Sequence, residues 1–189
     1  MTVVSDELAV VVARARKGDS GAVEDVLSRV RPAVLRYCRA RLGRTEGSFG
    51  SADDVAQEVC LAVMTALPRY VDTGRPFLAF VFGIAGHKVA DARRAGYRDH
   101  STPVETLPDR PDEGPGPEQV ALAAEAAQQA RSLLDLLPDA QREVLLLRVV
   151  AGLSAEETGA ALNMSAGAVR VAQHRALAQL RRLSIEAQQ

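Results

Sequence analysis

The sequence predicts an all-α protein of two small helical domains, and three observations predict it. The chain is 47% hydrophobic but only 4% aromatic, with no Trp. Its core must therefore be mostly Leu, Val and Ala, a mix that favours helices over strands. Apolar residues recur at three-to-four spacing along most of the chain, and no segment sustains strand alternation. Five of the nine prolines fall in one stretch, His100–Glu118, which reads HSTPVETLPDRPDEGPGPE. That stretch has almost no apolar surface to bury, so it reads as a linker. The expected organisation is a first domain over 1–98, a flexible acidic linker over 99–118 and a second domain over 119–189.

Each expected helix has a local reason. The first runs from about Asp6 to Lys17 and stops at Gly18-Asp19. The second spans about Gly21–Leu42, with Val23, Val26, Leu27, Val30, Val34, Leu35 and Cys38 on one side; Pro32 predicts a kink or break there. The third opens at Ser51-Ala-Asp-Asp54, a capping-box pattern, and runs to about Leu67. The fourth covers about Pro76–Tyr97. Beyond the linker, helices are expected at about Pro117–Leu137, Asp139–Val150, Ala155–Leu162 and Ala166–Leu183.

Net charge is −1 over 189 residues, which does not announce a nucleic-acid partner. The distribution says more. Residues 1–98 carry 15 basic and 11 acidic side chains, residues 99–118 carry 1 and 6, and residues 119–189 balance at 7 and 7. The acidic middle hides the basic character of the first domain.

Cys38 and Cys60 are too few for a disulfide framework or a zinc site and read as buried free thiols. The N-terminal residues do not resemble a signal peptide, and no run approaches the roughly 20 apolar residues of a membrane span. A cytoplasmic location without membrane insertion is the expectation.

The second domain carries the sharpest motif. Gly152 suits the left-handed position that ends a helix. Ser154 and Glu157 form a capping box for a short helix, and Asn163-Met-Ser165 makes a tight turn with Ser165 as the next N-cap. Two helices joined by so short a turn cross steeply, which is helix-turn-helix geometry. At 100° per residue, Val169, Ala172, Ala176, Leu177 and Leu180 gather on one side of the second helix. Gly167, Arg170, Val171, His174, Arg175 and Arg181 gather on the other. Basic residues on a helix usually mark a solvated face. Here the capped short helix and tight turn favour DNA contact. Arg170 suits guanine or a phosphate, His174 a base edge, and Val171 a thymine methyl.

Two helices of the first domain also present unusual faces. In Ser51–Leu67, Val55, Val59, Ala62, Val63 and Leu67 point inward, while Asp54, Gln57, Glu58, Leu61 and Met64 share the outer face. An apolar centre with an acidic rim fits a protein interface as well as it fits an ordinary solvated face. In Pro76–Arg98, Phe77, Phe80, Phe82 and Tyr97 accompany Lys88, Arg93, Arg94 and Arg98. Aromatic and basic residues together suit unstacked bases and their backbone, although Phe77 and Phe80 read better as core.

At this point the chain resembles the extracytoplasmic-function (ECF) group of bacterial sigma-70 family transcription initiation factors, along nearly its whole length. DDVAQEVCLAVMTALPRY (53–70) is similar to the family's region 2.2, RPFLAFVFGIAGHKVADARRAGYR (75–98) to regions 2.3 and 2.4, and LLDLLPDAQREVLLLRVVAGLSAEETGAALNMSAGAVRVAQHRALAQLRR (133–182) to region 4. RYCRARLG, SADDVAQEV and VRVAQHRAL resemble the actinobacterial sigma-D-like subgroup. The resemblance implies that Asp53, Asp54, Gln57, Glu58 and Leu61 contact the β′ coiled coil of core RNA polymerase. It implies that His87, Lys88, Asp91, Arg93 and Arg94 lie at or near the −10 recognition loop. It places Ser165, Gly167, Arg170, Val171, His174 and Arg175 at the −35 groove. Core polymerase (β′ coiled coil and β flap) and promoter DNA are the implied partners, and an anti-sigma factor would cover the same surfaces. Departures from the family pattern stand at His87 (commonly Asn), Phe80 (commonly Trp), Ala172 (often basic) and Gln173 (often aliphatic).

The competing classes are a dimeric helix-turn-helix regulator and an enzyme. A regulator needs a dimerisation or ligand-sensing domain, which the first domain does not resemble. For an enzyme, His87, His100 and His174 fall in a loop region, the linker and the reader helix, and no nucleophile elbow, phosphate loop or metal spacing accompanies them. No catalysis, cofactor or metal is expected.

Overall fold

The computed structural model describes residues 3–42, 51–98 and 117–186. All regular elements among them are helical, as predicted: α1 (Val3–Ala15), α2 (Ser20–Leu42), α3 (Ala52–Ala66), α4 (Phe77–Arg98), α5 (Pro117–Asp135), α6 (Asp139–Leu145), α7 (Ala155–Leu162) and α8 (Ala166–Glu186). A 3₁₀ turn, Leu67–Arg69, follows α3, and a π-helical turn, Leu146–Val150, follows α6. Residues 99–116 of the expected linker lie outside the described residues. Pro117 and Glu118 were expected in the linker too, but they open α5, where proline at the first helical position loses no hydrogen bond.

Local chemistry sets the helix ends. Gly18 adopts φ +89° beyond α1. Asp19 then caps α2, its Oδ1 accepting from the Ala22 N–H at 3.0 Å. That backbone bond, with the Arg14 guanidinium beside it, holds the Asp19 carboxyl below its ordinary range. Pro32 does not break α2. It sits on the exposed side, while Val26, Val30, Val34, Tyr37 and Cys38 are buried on the other and hold the helix together. The capping box of α3 forms as the sequence implies: Ser51 Oγ accepts from the Asp54 N–H at 3.1 Å and Asp54 Oδ2 from the Ser51 N–H at 3.1 Å.

Helices α1–α4 enclose a core that includes Val12, Val26, Val34, Val59, Val81 and Val89. Two smaller clusters seat α8 in the second domain, Leu137 with Leu145 and Ala176, and Val144 with Ala155 and Val169. The sequence reading treats the domains as separate modules. In the structure they share buried surface, because Leu146, Leu147, Ala151 and Leu153 join the core of the first domain. Polar contacts cross the same junction. Tyr37 Oη donates to Glu143 Oε1 at 2.5 Å, and Arg41 pairs with Glu143 Oε2 at 3.2 Å. Arg36 Nε donates to the Val150 carbonyl at 2.9 Å, at the end of the π turn where carbonyls lack helical partners.

Candidate nucleic-acid and polymerase interfaces

The outer face of α3 is built as the periodicity predicts. Asp53, Asp54, Gln57, Glu58 and Leu61 are all exposed, with Leu61 at 50% and Met64 at 41%. Val55, Val59 and Val63 are buried beneath them; Ala62 is half-buried. The carboxylates are not equivalent. Asp53 accepts two hydrogen bonds from Arg39 at 2.8 Å, which raises the guanidinium pKa. Asp54 is committed to its own helix cap, accepting also from Ser51 Oγ at 2.9 Å. Glu58 Oε2 receives Lys88 Nζ from α4 at 2.9 Å.

Helix α4 divides its residues by face. Phe77 and Phe82 are buried and Phe80 is half-buried. The rings pack on tyrosines: Tyr37 and Phe82 meet edge-on at 5.4 Å, and Tyr70 lies 5.2 Å from Phe77 and 4.9 Å from Phe80. The first and third phenylalanines thus serve the fold, and Phe80 lines a groove; the Tyr97 side chain lies outside the described ones. His87 corrects the sequence reading. It is not in a loop region but within α4, as are Lys88, Asp91, Arg93 and Arg94. An uninterrupted helix forms because Val81, Ala85 and Val89 continue the buried stripe past it. His87 and Asp91 are exposed, Lys88 and Arg93 half-buried, and Arg94 pairs with Asp91 one turn away.

A groove of about 1010 Å³ runs between α3 and α4. Glu58, Leu61, Tyr70, Val71, Phe80 and Lys88 line it, and Ala161 and Asn163 of α7 contribute to its wall.

The helix-turn-helix is closed by its caps. Gly152 has φ +83°, Ser154 Oγ accepts from the Glu157 N–H at 3.1 Å, and Glu157 Oε2 accepts from the Ser154 N–H at 2.7 Å. Asn163 takes the left-handed conformation at φ 55°, which Asn tolerates better than most residues. The chain then returns so tightly that a Cβ on Gly159 would stand 2.5 Å from the Met164 carbonyl oxygen. Ser165 Oγ caps α8 through the Ala168 N–H at 3.1 Å.

Val169 and Ala176 are buried under α8, whereas Ser165, Gly167, Arg170, Val171, His174 and Arg175 are exposed on one basic face. Glu156 of α7 pairs with Arg170 at 2.7 Å, and this partner helps hold the Glu156 carboxyl below its ordinary range, after its own backbone N–H. Gln173 points elsewhere: it accepts from Arg148 Nε at 3.0 Å, while Arg148 also donates to the Leu153 carbonyl. Ala172 packs against the Val144–Ala155–Val169 cluster. Both unusual residues of α8 therefore face the support of the motif and leave its outer surface unchanged.

The comparisons with known proteins follow the same division. Residues 26–98 match the family model described as Sigma-70 region 2, and residues 133–182 match Sigma-70, region 4. The chain is 60% identical over 181 residues to the ECF RNA polymerase sigma factor SigD of Mycobacterium tuberculosis, covering 96% of this chain and 85% of that protein. The chain belongs to the ECF RNA polymerase sigma factors. The sigma factor is also 55% identical over 186 residues to ShbA of Streptomyces griseus, covering 95% of this chain and 97% of that one. These actinobacterial relatives agree with the subgroup that the sequence resembles. The solved structure of CnrH in complex with the cytosolic domain of CnrY aligns with a TM-score of 0.68 at 28% identity, over 95% of this chain and 97% of that chain.

Among the described residues of the sigma factor, no group of three or more His, Cys, Asp and Glu side chains could hold a metal ion. Among them too, no helix is long and apolar enough to cross a membrane. Sequence reasoning did not find Glu156, Arg148, Arg75 or the Tyr37–Glu143 contact. Only Glu156 had a local signal, as an acid beside the capping box. The other three act across distances in the chain that periodicity does not report.

Proposed function

We propose that the sigma factor uses three of these surfaces in promoter-directed initiation. The α3 face docks on the β′ coiled coil of core polymerase through Gln57, Glu58 and Leu61, with Asp53 at the rim and Asp54 holding the helix end. The exposed side of α4, with His87, Lys88, Asp91, Arg93 and Arg94, meets the −10 element. The α8 face, with Ser165, Gly167, Arg170, Val171, His174 and Arg175, reads the −35 element, and the second domain meets the β flap. The protein supplies promoter selection in the cytoplasm and leaves the chemistry to polymerase. An anti-sigma factor would act by covering these surfaces.

The observation that supports this reading best is the exposed basic face of α8 on a doubly capped, tightly turned support. A basic face on a fixed helix-turn-helix enters a major groove as a unit. Binding by one such module to DNA is weak, and polymerase adds affinity by fixing its spacing from the other. Run-off transcription with purified core polymerase on a promoter library tests the reading. Transcripts should start downstream of paired −35 and −10 elements only when the protein is present. Tight duplex binding without polymerase would instead indicate a self-sufficient regulator.

A further inference from the structure

The junction between the two domains carries a consequence for how the protein works, resting on the promoter-reading roles above. Glu143 of α6 sits between Tyr37 and Arg41 of α2, a hydrogen bond at 2.5 Å and an ion pair at 3.2 Å, with the Arg41 and Glu143 side chains only 18% and 19% exposed. Arg36 adds bonds to the carbonyls of Val150 at 2.9 Å and Ala151 at 3.4 Å. On the far side, Arg75 donates to Asn163 Oδ1 at 3.2 Å and to the Ala160 carbonyl, tying the segment before α4 to the end of α7. Between these polar ends lie Leu146, Leu147, Ala151 and Leu153, buried against the first domain.

This closed form cannot read both promoter elements at once. A compact chain of 189 residues has a radius of gyration of about 16 Å, hence a diameter of roughly 40 Å. Elements centred near −35 and −10 stand some 25 base pairs apart, about 85 Å along B-form DNA at ~3.4 Å per step. In the closed form Arg75, just before α4, is hydrogen-bonded to the end of α7, so the spacing fails by a factor of about two. The 18 residues between Arg98 and Pro117 can span at most ~60 Å, enough to let the domains part without breaking either one. Closure also puts Ala161 and Asn163 in the wall of the groove that holds Glu58, Leu61 and Lys88, next to the surface assigned to polymerase.

The geometry points to a latch: Glu143, held by Tyr37 and Arg41, fastens the free sigma factor shut, and polymerase engagement and promoter reading require it to break. The contact has the character of a releasable one. Arg41 Nε is buried without a hydrogen-bond partner, so the closed form leaves one guanidinium N–H unsatisfied that opening returns to water. In an ion pair this shielded from water, desolvation offsets much of the attraction, so the closed form gains little net stability from it. Opening exposes the apolar residues at its centre, so polymerase or DNA must offset that exposure by contacts available only to the open form. Apparent affinity for polymerase falls with the fraction of open chain, and a weakened latch raises it.

The test uses the full chain with donor and acceptor dyes at Glu24 in α2 and Arg182 in α8, compared for wild type, Glu143→Gln and Tyr37→Phe. Helical circular dichroism verifies that each variant folds. Wild type should show one short distance, with a longer population appearing on addition of core polymerase. Glu143→Gln should raise the open fraction of the free chain about five-fold or more and lower the polymerase concentration for half-maximal run-off by a similar factor. Tyr37→Phe should act in the same direction, and the pair together should fall short of the product of the single effects, since they share one hydrogen bond. A wild-type chain already open when free, or two folded variants with unchanged distance, would overturn the latch. If the distances change as expected but wild type supports no run-off transcription with polymerase, the promoter-reading roles fail while the closure stands.

Discussion

Glu58 and Lys88 form an ion pair at 2.9 Å between α3 and α4, yet each is assigned to a different macromolecule. While they pair, the carboxylate proposed to meet polymerase neutralises the ammonium proposed to meet DNA. Glu58 is exposed and the Lys88 side chain remains reachable by water, so the pair itself contributes at most about 1 kcal/mol to stability. A basic group on polymerase that takes the carboxylate releases Lys88 toward phosphate, and the reverse holds by linkage. Glu58→Gln should therefore leave the melting temperature nearly unchanged, weaken capture by core polymerase several-fold, and tighten binding of the free chain to single-stranded −10 DNA. Lys88→Met should weaken that DNA binding and reduce its salt slope by about 1. Polymerase pull-down and fluorescence anisotropy of labelled oligonucleotide measure the two sides. Tightening of neither ligand in either variant would sink the coupling.

Asp54 behaves differently from Glu58 although both lie on the same outer face. Its carboxylate accepts from the Ser51 backbone at 3.1 Å and hydroxyl at 2.9 Å, so reversing its charge damages the helix start before it touches any partner. Ser51→Ala and Asp54→Ala should each cost about 1 kcal/mol, and the double variant less than the sum, because they dismantle one reciprocal cap. Urea denaturation reads this directly. Loss of polymerase capture by Asp54→Lys would thus reflect mainly a frayed α3, whereas Glu58→Lys probes the interface.

Burial pushes the Cys38 thiol up to about 12, with the neighbouring Cys60 and Asp53 adding to the shift. An unfolded cysteine ionises near ~8.5. The folded value is the higher one, so the contribution of this thiol is complete below pH ~8.5 and is lost as pH rises toward 12. Urea midpoints should fall from pH 9 upward, and Cys38→Ala should remove part of that slope. Tyr37, also raised by burial and by Glu143, contributes in the same direction, so the difference between variant and wild type is the quantity to measure. A slope identical in both would rule out Cys38 as a contributor.

Caps, the left-handed glycine and the buried stripe are signals carried within a few residues, and the sequence reading placed them well. Gly152, Ser154, Glu157 and Ser165 each do locally what their residue types prefer. The domain junction left no such trace. Leu146, Leu147 and Leu153 fit the apolar pattern of their own domain whether or not they also meet the first one. Tyr37 and Glu143 are 106 positions apart, and a single sequence holds no record of which distant polar side chains meet. Asp54 was legible twice, as a cap and as an outer-face acid, and its second reading did not reveal that the cap uses the carboxylate. The apparent oddity of Gln173 had the opposite cause: angle alone left it near the reader face, and only Arg148 on α6's continuation shows that it turns inward.

Gly159 offers a way to separate the two domains by one substitution. Its α-carbon faces the returning chain, and an added methyl would stand 2.5 Å from the Met164 carbonyl oxygen and 3.4 Å from the carbonyl carbon. Backbone cannot yield there as a flexible side chain would, so Gly159→Ala should cost about 1–3 kcal/mol within the helix-turn-helix. Activity on promoters that depend on the −35 element should fall, while polymerase capture through α3 persists.

Arg170 and Gln173 lie within one turn of each other on α8, yet they take different partners and should respond differently. Arg170 is exposed, with its guanidinium held by Glu156 at 2.7 Å above the presented face. Arg170→Ala should cost about 1–3 kcal/mol in −35 binding within the polymerase complex and relax preference at one base position, if it pairs with a base edge. A uniform loss over all sequences would reassign it to a phosphate. Gln173→Leu removes the acceptor from Arg148 Nε, so it should lower the stability of the second domain and leave base preference unchanged. Selection of active −35 sequences from a randomised library by each variant distinguishes the roles. A shifted preference in Gln173→Leu would place that residue in the groove and contradict its contact with Arg148.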